Sequence, residues 1–236
     1  MLESPTPTGA SAAAETPAGA AHPGLRERKK QQTRLRIIEV GLNLCDTQGF
    51  DATTVEQIAN AADVSPRTIN RYFDSKEDIV LGPVQDFGQA VAETLRRLPV
   101  TDNELESLRS AFLQVIDRAV SEPGGGPISF RQFQQMQRIV RSSPAVSARS
   151  LEHADKKNIA IAAVVADRLA TTPCALPVRL ILGSWQLINH LAMECGESMF
   201  DYDDLYEAAT AGRNSFCAAF DEFLRVCGGA RTSASD

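Results

Sequence analysis

Thr53-Thr54-Val55-Glu56-Gln57-Ile58-Ala59-Asn60-Ala61-Ala62-Asp63-Val64-Ser65-Pro66-Arg67-Thr68-Ile69-Asn70-Arg71-Tyr72-Phe73 is the stretch whose pattern decides the fold. Thr53-Thr54-Val55-Glu56 has the order of a capping box, in which a hydroxyl and a Glu three residues on satisfy each other's orphan N–H groups. A short helix is therefore predicted from Thr53, with Val55, Ile58, Ala59 and Ala62 inward at i, i+3, i+4, i+7. After Asp63-Val64, Ser65 is a strong N-cap, and Pro66 suits the first helical position, where its missing N–H costs nothing. The next helix then runs from about Pro66 to Phe73. Ile69 and Phe73 share one face and can pack on the helix before, while Arg67 and Arg71 face away with Thr68 and Asn70 flanking. Two short helices across a tight turn, the second turning Arg, Thr and Asn outward, is the helix-turn-helix plan, with its motif at about residues 54–73.

The pattern stays helical on both sides. Upstream, Ile37, Val40/Gly41 and Leu44 recur at helical spacing until Gly49 stops the run and Phe50 opens a connector. Downstream, Ser75-Lys76-Glu77-Asp78 caps a fourth helix reaching about Leu98, bent near Gly82-Pro83. Amphipathic segments follow at about 103–121, 128–142, 145–171, 177–195 and 202–226, which brings the expected total to about nine helices. The fold class is all-α: a three-helix DNA-binding domain over residues 24–81, then a larger helical bundle for ligand binding and dimerisation over 82–228. Residues 1–23, rich in Ala, Pro, Thr, Ser and Gly, read as a disordered tail, and 229–236 as a flexible C-terminus. Gly124-Gly125-Gly126 lacks the Lys-Ser/Thr and the preceding strand of a phosphate cradle and reads as a loop.

Charge locates the contact with nucleic acid. The 236-residue chain has a formal net charge of -6, which argues against binding by the whole surface. Residues 24–36, however, hold Arg26, Arg28, Lys29, Lys30, Arg34 and Arg36 against Glu27 alone, a local +5. Residues 82–236 hold 15 bases and 19 acids, which disfavours an effector-independent, chromosome-organising binder. The five cysteines include no Cys-x-x-Cys pair and read as small buried thiols of a reduced, cytoplasmic protein. No apolar run has the length of a membrane span, and the N-terminus lacks the order of a signal peptide. Three His residues, His22, His153 and His190, offer no Ser-His-Asp order; with no nucleotide loop and no paired-carboxylate signature, an enzyme is not expected and no cofactor is implied.

Thr33-Arg34, Ile37, Leu44, Gly49-Phe50-Asp51-Ala52-Thr53-Thr54-Val55, Ile58-Ala59, Ala62-Asp63-Val64-Ser65, Tyr72-Phe73 and Lys76-Glu77-Asp78 together resemble the N-terminal domain of the TetR family of bacterial regulators. Cys45 stands where that pattern has Phe, and Val40-Gly41 where it has Ala-Ala. The resemblance implies an all-α homodimer of nine or ten helices with an effector cavity. Ser65-Pro66-Arg67-Thr68 and Arg71-Tyr72-Phe73 further resemble a branch that includes regulators of mycofactocin gene clusters, which respond to acyl-CoA-type ligands.

A DNA-reading head must hold phosphates for register and touch base edges for sequence. Thr53, Thr54 and Ser65, at helix N-termini, are phosphate candidates, and Lys29 and Lys30 stand within reach of backbone or minor groove. Arg67 and Asn70 are candidates for guanine and adenine edges, Arg71 for phosphate, with Pro66 and Thr68 beside them. The resemblance adds Lys76 and the Tyr72 hydroxyl as phosphate contacts. A small-molecule effector, its identity open, is expected among Phe112, Phe130, Phe133, Met136, Ile139, Val140, Trp185, Asn189 and His190. The same residues also suit a plain core. Dimer-interface candidates are Leu180, Leu187 and Leu191, with Leu205, Ala209, Gly212, Phe216, Phe220 and Phe223. A metal-responsive regulator is the alternative raised by His190 and Glu194 at i, i+4 with Cys195 adjacent, although no metal is expected.

Overall fold

The computed structural model describes residues 24–121, 129–152, 158–196 and 202–228. The expectations for the tail, the glycine triplet, His22, His153 and the C-terminus lie outside these residues. Eleven α-helices make up the described chain, and no strand occurs among the described residues. They are α1 (Leu25–Gln48), α2 (Val55–Ala62), α3 (Pro66–Tyr72), α4 (Lys76–Val80), α5 (Gly82–Arg97), α6 (Glu104–Ser121), α7 (Phe130–Ser142), α8 (Pro144–Glu152), α9 (Ile159–Arg168), α10 (Leu176–Cys195) and α11 (Leu205–Gly228).

Two of the nine expected helices are each seen as a pair. The bend near Gly82-Pro83 is a break: α4 ends at Leu81, and α5 restarts with Pro83 in its first turn. The segment expected at 145–171 is described as α8 and α9. Gly49 stops α1 with φ 90°, a value that L side chains rarely adopt. Gly41 serves a close approach, because a Cβ there would stand 2.7 Å from the Ile79 Cγ2.

Apolar side chains gather in two cores. The larger joins α5, α6, α9, α10 and α11 through Val91, Leu95, Leu108, Phe112, Val165, Trp185, Phe216 and Phe220. The smaller lies under α1–α4 and contains Ile37, Leu42, Ile58, Ile69, Phe73 and Ile79. It also contains Met136 and Ile139 of α7 and Val146 of α8, so the N-terminal head is completed by helices from beyond residue 82.

A buried ion pair stitches the far end of the larger core. The Arg168 Nε donates to Glu104 Oε2 at 2.6 Å, and both side chains are almost fully buried. The same guanidinium donates to the carbonyls of Leu95, Leu98 and Pro99, closing the C-terminal end of α5. Losing one partner of such a pair strands the other charge out of water. Arg168→Ala is therefore expected to lower stability by about 3–5 kcal/mol, seen as a reduced urea midpoint. A loss below about 1 kcal/mol, the size of a surface pair, would show that Glu104 finds water or another partner.

Candidate nucleic-acid interface

Helix α3 is capped as its sequence dictates. The Ser65 Oγ accepts from the Thr68 N–H at 3.1 Å, and Pro66 occupies the first turn. Ile69 and Phe73 are buried, and Pro66, Arg67, Asn70 and Arg71 are exposed. Thr68 and Tyr72 are half-buried at the margin between those faces. The Arg71 guanidinium lies 5.2 Å from the centre of the Tyr72 ring, a cation–π contact that stiffens both. The turn before α3 depends on Asp63 at φ 57°, a left-handed conformation that Asp tolerates better than most residues.

In α2 the capping box sits one residue later than expected. Thr54 is the N-cap: its Oγ1 accepts from the Gln57 N–H at 3.1 Å, and the Gln57 Oε1 accepts from the Thr54 N–H at 2.9 Å. Thr53 is buried, donating from Oγ1 to the Gly49 carbonyl and accepting from Gln48 Nε2, so its hydroxyl is withdrawn from any phosphate. Thr54, in contrast, is exposed.

Lys76 has a different employment from the expected one. Its Nζ donates to the carbonyls of Phe50 and Thr53, each at 2.6 Å, and lies 4.0 Å from the centre of the Phe50 ring. The ammonium thus clamps the turn that delivers Thr54. Gln48 and Gln57 assist through a 3.1 Å contact. Nothing in the local pattern around Lys76 marked this role, since its acceptors lie 23 and 26 residues earlier. Gln57 was legible, because Thr54-x-x-Gln57 satisfies the capping pattern as well as Thr53-x-x-Glu56 does.

Two arginines of α1 brace the head. Arg36 Nε donates to the Ala62 carbonyl, the last residue of α2, at 3.1 Å. Arg34 grips Asp86 of α5 at 2.7 and 3.0 Å while its guanidinium stands 5.7 Å from the centre of the Phe73 ring. Burial pushes the Asp86 carboxyl above its ordinary range, against the pull of Arg34. Lys29 and Lys30 are exposed, and Lys30 pairs loosely with Glu27 at 3.5 Å.

The expected effector residues divide between the two cores. Phe112 and Trp185 belong to the larger, with Phe130 against it; Met136 and Ile139 belong to the head's core, with Phe133 and Val140 against it. Phe87 joins the groups, its ring centre 5.3 Å from that of Phe112 and 5.9 Å from that of Phe133. Asn189 spends its amide N–H on the Trp185 carbonyl, one turn back on α10. His190 does not converge on these rings: it is exposed and pairs at 3.2 Å with an equally exposed Glu194. Cys195 is exposed too, and among the described residues no three metal-ligating side chains gather.

The expected interface residues also separate. Ala209, Gly212, Phe216 and Phe220 are buried within the protomer and unavailable to a partner, because α11 lays that face on α10 and α6. Phe223 is half-buried at the edge of the same core. Leu180, Leu187, Leu191 and Leu205 are exposed, and so is Leu176. The cysteines depart from the expected burial. Only Cys45 is fully buried, its thiol pushed up by loss of water, while Cys174, Cys195 and Cys227 are exposed and Cys217 is intermediate.

Lys76→Met tests the clamp, since it keeps the stem and deletes the ammonium. Stability should fall by about 1–3 kcal/mol as two carbonyls lose their donor. Affinity for duplex DNA should fall with an unchanged salt dependence, read by anisotropy across a salt series. A loss of about 0.9 in the slope per head would instead put the Lys76 charge on a phosphate.

Residues 37–82 match the family model described as bacterial regulatory proteins, tetR family. The HTH-type transcriptional regulator TcmR of Streptomyces glaucescens is 35% identical over 146 residues, which make up 62% of this chain and 64% of that protein. MftR of Mycobacterium tuberculosis, whose name attaches it to mycofactocin biosynthesis, is 29% identical over 127 residues, 52% of this chain and 59% of its own. The chain thus spans less than two thirds of the length of these curated relatives. The crystal structure of Thermus thermophilus FadR, a TetR family transcriptional repressor in complex with lauroyl-CoA, aligns over 86% of this chain and 97% of its own at 20% identity and a TM-score of 0.45. Over residues 37–82, which hold the helix-turn-helix, the C-terminal half of α1 and α4, the chain is similar to the tetR family of bacterial regulatory proteins.

Proposed function

We propose that the chain is a transcriptional regulator, acting as a repressor, that binds a near-palindromic operator as a homodimer and is released by a small effector. One observation carries this reading: a seven-residue helix anchored by buried Ile69, and by buried Phe73 just past its end, leaves Arg67, Asn70 and Arg71 exposed together. In a major groove those side chains meet base edges, Arg67 on guanine and Asn70 on adenine, each worth about 1–3 kcal/mol of discrimination. Thr54, Ser65 and the Tyr72 hydroxyl hold phosphates beside them. The reading domain is residues 24–81 and the effector and dimer body is 82–228.

The dimer reading is supported by α10. Leu176, Leu180, Leu187 and Leu191 follow one helical face and all are exposed, with open space at Gly183 between them. A two-fold contact along this face would set two heads about one helical turn of DNA, ~34–36 Å, apart. For the effector, the rings of Phe87, Phe112, Phe130 and Phe133 favour an apolar group, and an acyl-CoA-like ligand follows from the resemblance stated above. Binding that displaces α7 would reach the head through Met136 and Ile139. A coupling of about 1–3 kcal/mol would change operator affinity ~5–150-fold.

Selection of bound sequences from random duplex DNA tests the whole reading, and a two-fold-symmetric motif is the expected result. Arg67→Ala should relax preference at one base position per half-site. Uniform weakening of every sequence would remove Arg67 from the bases. Leu187→Glu should convert dimer to monomer in sedimentation, and a dimer of unchanged strength would exclude this face of α10.

A further inference from the structure

Asp86 stands where the two cores meet. Two residues before it on α5, Val84 packs on the head's core, and the residue after it, Phe87, packs on the larger core of the body. Between them the Asp86 carboxylate accepts from Arg34 Nη1 of α1 at 2.7 and 3.0 Å, while Gln85 Oε1 accepts from Arg34 Nη2 at 3.4 Å. The Arg34 and Asp86 side chains are only 17% and 21% exposed. The same guanidinium lies 5.7 Å from the centre of the Phe73 ring, and Phe73 closes the C-terminal end of α3. One side chain of α1 thus touches the end of α3 on one side and α5 on the other.

Helix α5 is built to shift against the head. The break at Leu81 leaves α4 with the head, since Ile79, Val80 and Leu81 all lie in its core. From Gly82 to Arg97 the helix is unbroken, so Asp86 and Phe87 move together. The Phe87 ring meets Phe112 and Phe133 in the body, with centres 5.3 and 5.9 Å apart. An ion pair with little water around it changes energy steeply with separation. Burial outweighs the pull of Arg34 and pushes the Asp86 carboxyl up, so the pair holds α1 only at close contact.

We propose that Arg34 is a positioning residue for DNA reading: held by Asp86, it passes the position of α5 to the C-terminal end of α3. A disturbance at the Phe87 ring then changes operator affinity through this pair. The proposal rests on the reading of α3 given above and adds the residue by which the body sets that helix. It differs from the apolar route of α7 through Met136 and Ile139.

The test compares the full chain with its Asp86→Asn variant on two labelled duplexes, one carrying the selected motif and one scrambled. Asn keeps the shape and removes the charge. Affinity for the motif should fall about 5-fold or more, while the scrambled duplex and the salt slope stay parental, because no phosphate contact is lost. Arg34→Lys should repeat the result, since it keeps the charge but has no plane for Phe73 and no second nitrogen for Gln85. It carries the test by itself if Asp86→Asn fails to fold, checked by circular dichroism. An unchanged ratio between the two duplexes, in either folded variant, would overturn the proposal and leave the reading of α3 intact. Phe112→Leu, a change beside Phe87 within the body's core, should alter motif affinity in the parent and lose most of that effect in the Asp86→Asn background. An undiminished effect there would route the coupling through α7 and overturn the proposal, as would no effect in the parent. Failure of the parent to distinguish the two duplexes would overturn the reading of α3 as well.

Discussion

Burial of Ile69 and Phe73 is the constraint on which the head depends. Seven residues are too few to hold a helix in water, because nucleation is unfavourable and only a few backbone bonds repay it. Each of these side chains contributes about 1.5–3 kcal/mol on full burial. The Ser65 cap adds about 1 kcal/mol and Pro66 preorganises the first turn. Packing on α1 and α2 thus creates the helix as well as orienting it. Every polar feature of the outward face follows from that inward anchor, since a helix clamped along one side has only the other left to display.

What was legible in the amino-acid order follows the same logic. Short-range rules located α2 and α3, because caps, turn residues and apolar spacing act within four or five residues of one another. Those rules were ambiguous where two registers satisfied them equally. Thr53-x-x-Glu56 and Thr54-x-x-Gln57 are both capping boxes, and the choice was made by Gln48 and Gly49, which hold Thr53 inside. Periodicity also reports that a face is apolar without reporting what covers it. Phe216 and Phe220 on α11 turned out to be protomer core, whereas Leu180 and Leu187 on α10 remain exposed. Both sets carry the same spacing signal and differ only in their neighbours. Lys76 was hidden for a related reason: a lysine near a helix start suggests phosphate until a folded turn brings two carbonyls to it.

The break at Leu81 illustrates how a small local decision shapes the larger architecture. Gly82 lets α5 pass close to α1, since a Cβ at Gly82 would stand 2.5 Å from the Ile38 Cδ1. That approach brings Asp86 to Arg34 and Phe87 to Phe133. Glycine and proline side by side would be costly within one long helix. At a junction between two helices they permit the head and the body to share a wall.

Magnitudes decide how that wall transmits force. Polar bridges cross it: Arg138 grips Asp46 at 3.2 and 2.7 Å, and Gln135 donates to Asn43 at 2.9 Å. Arg138 is 47% exposed, and pairs so open to solvent contribute about 0–1 kcal/mol. Met136 and Ile139 are fully buried in the head's core, and dislodging either costs about 1.5–3 kcal/mol or more, because a cavity opens behind it. The bridges can fix the register of α7 against α1, but they are too weak to move it. Displacement of α7 must be felt through the two apolar side chains, whose packing admits a few discrete arrangements rather than continuous adjustment. A head that borrows its core from the body cannot ignore what happens there.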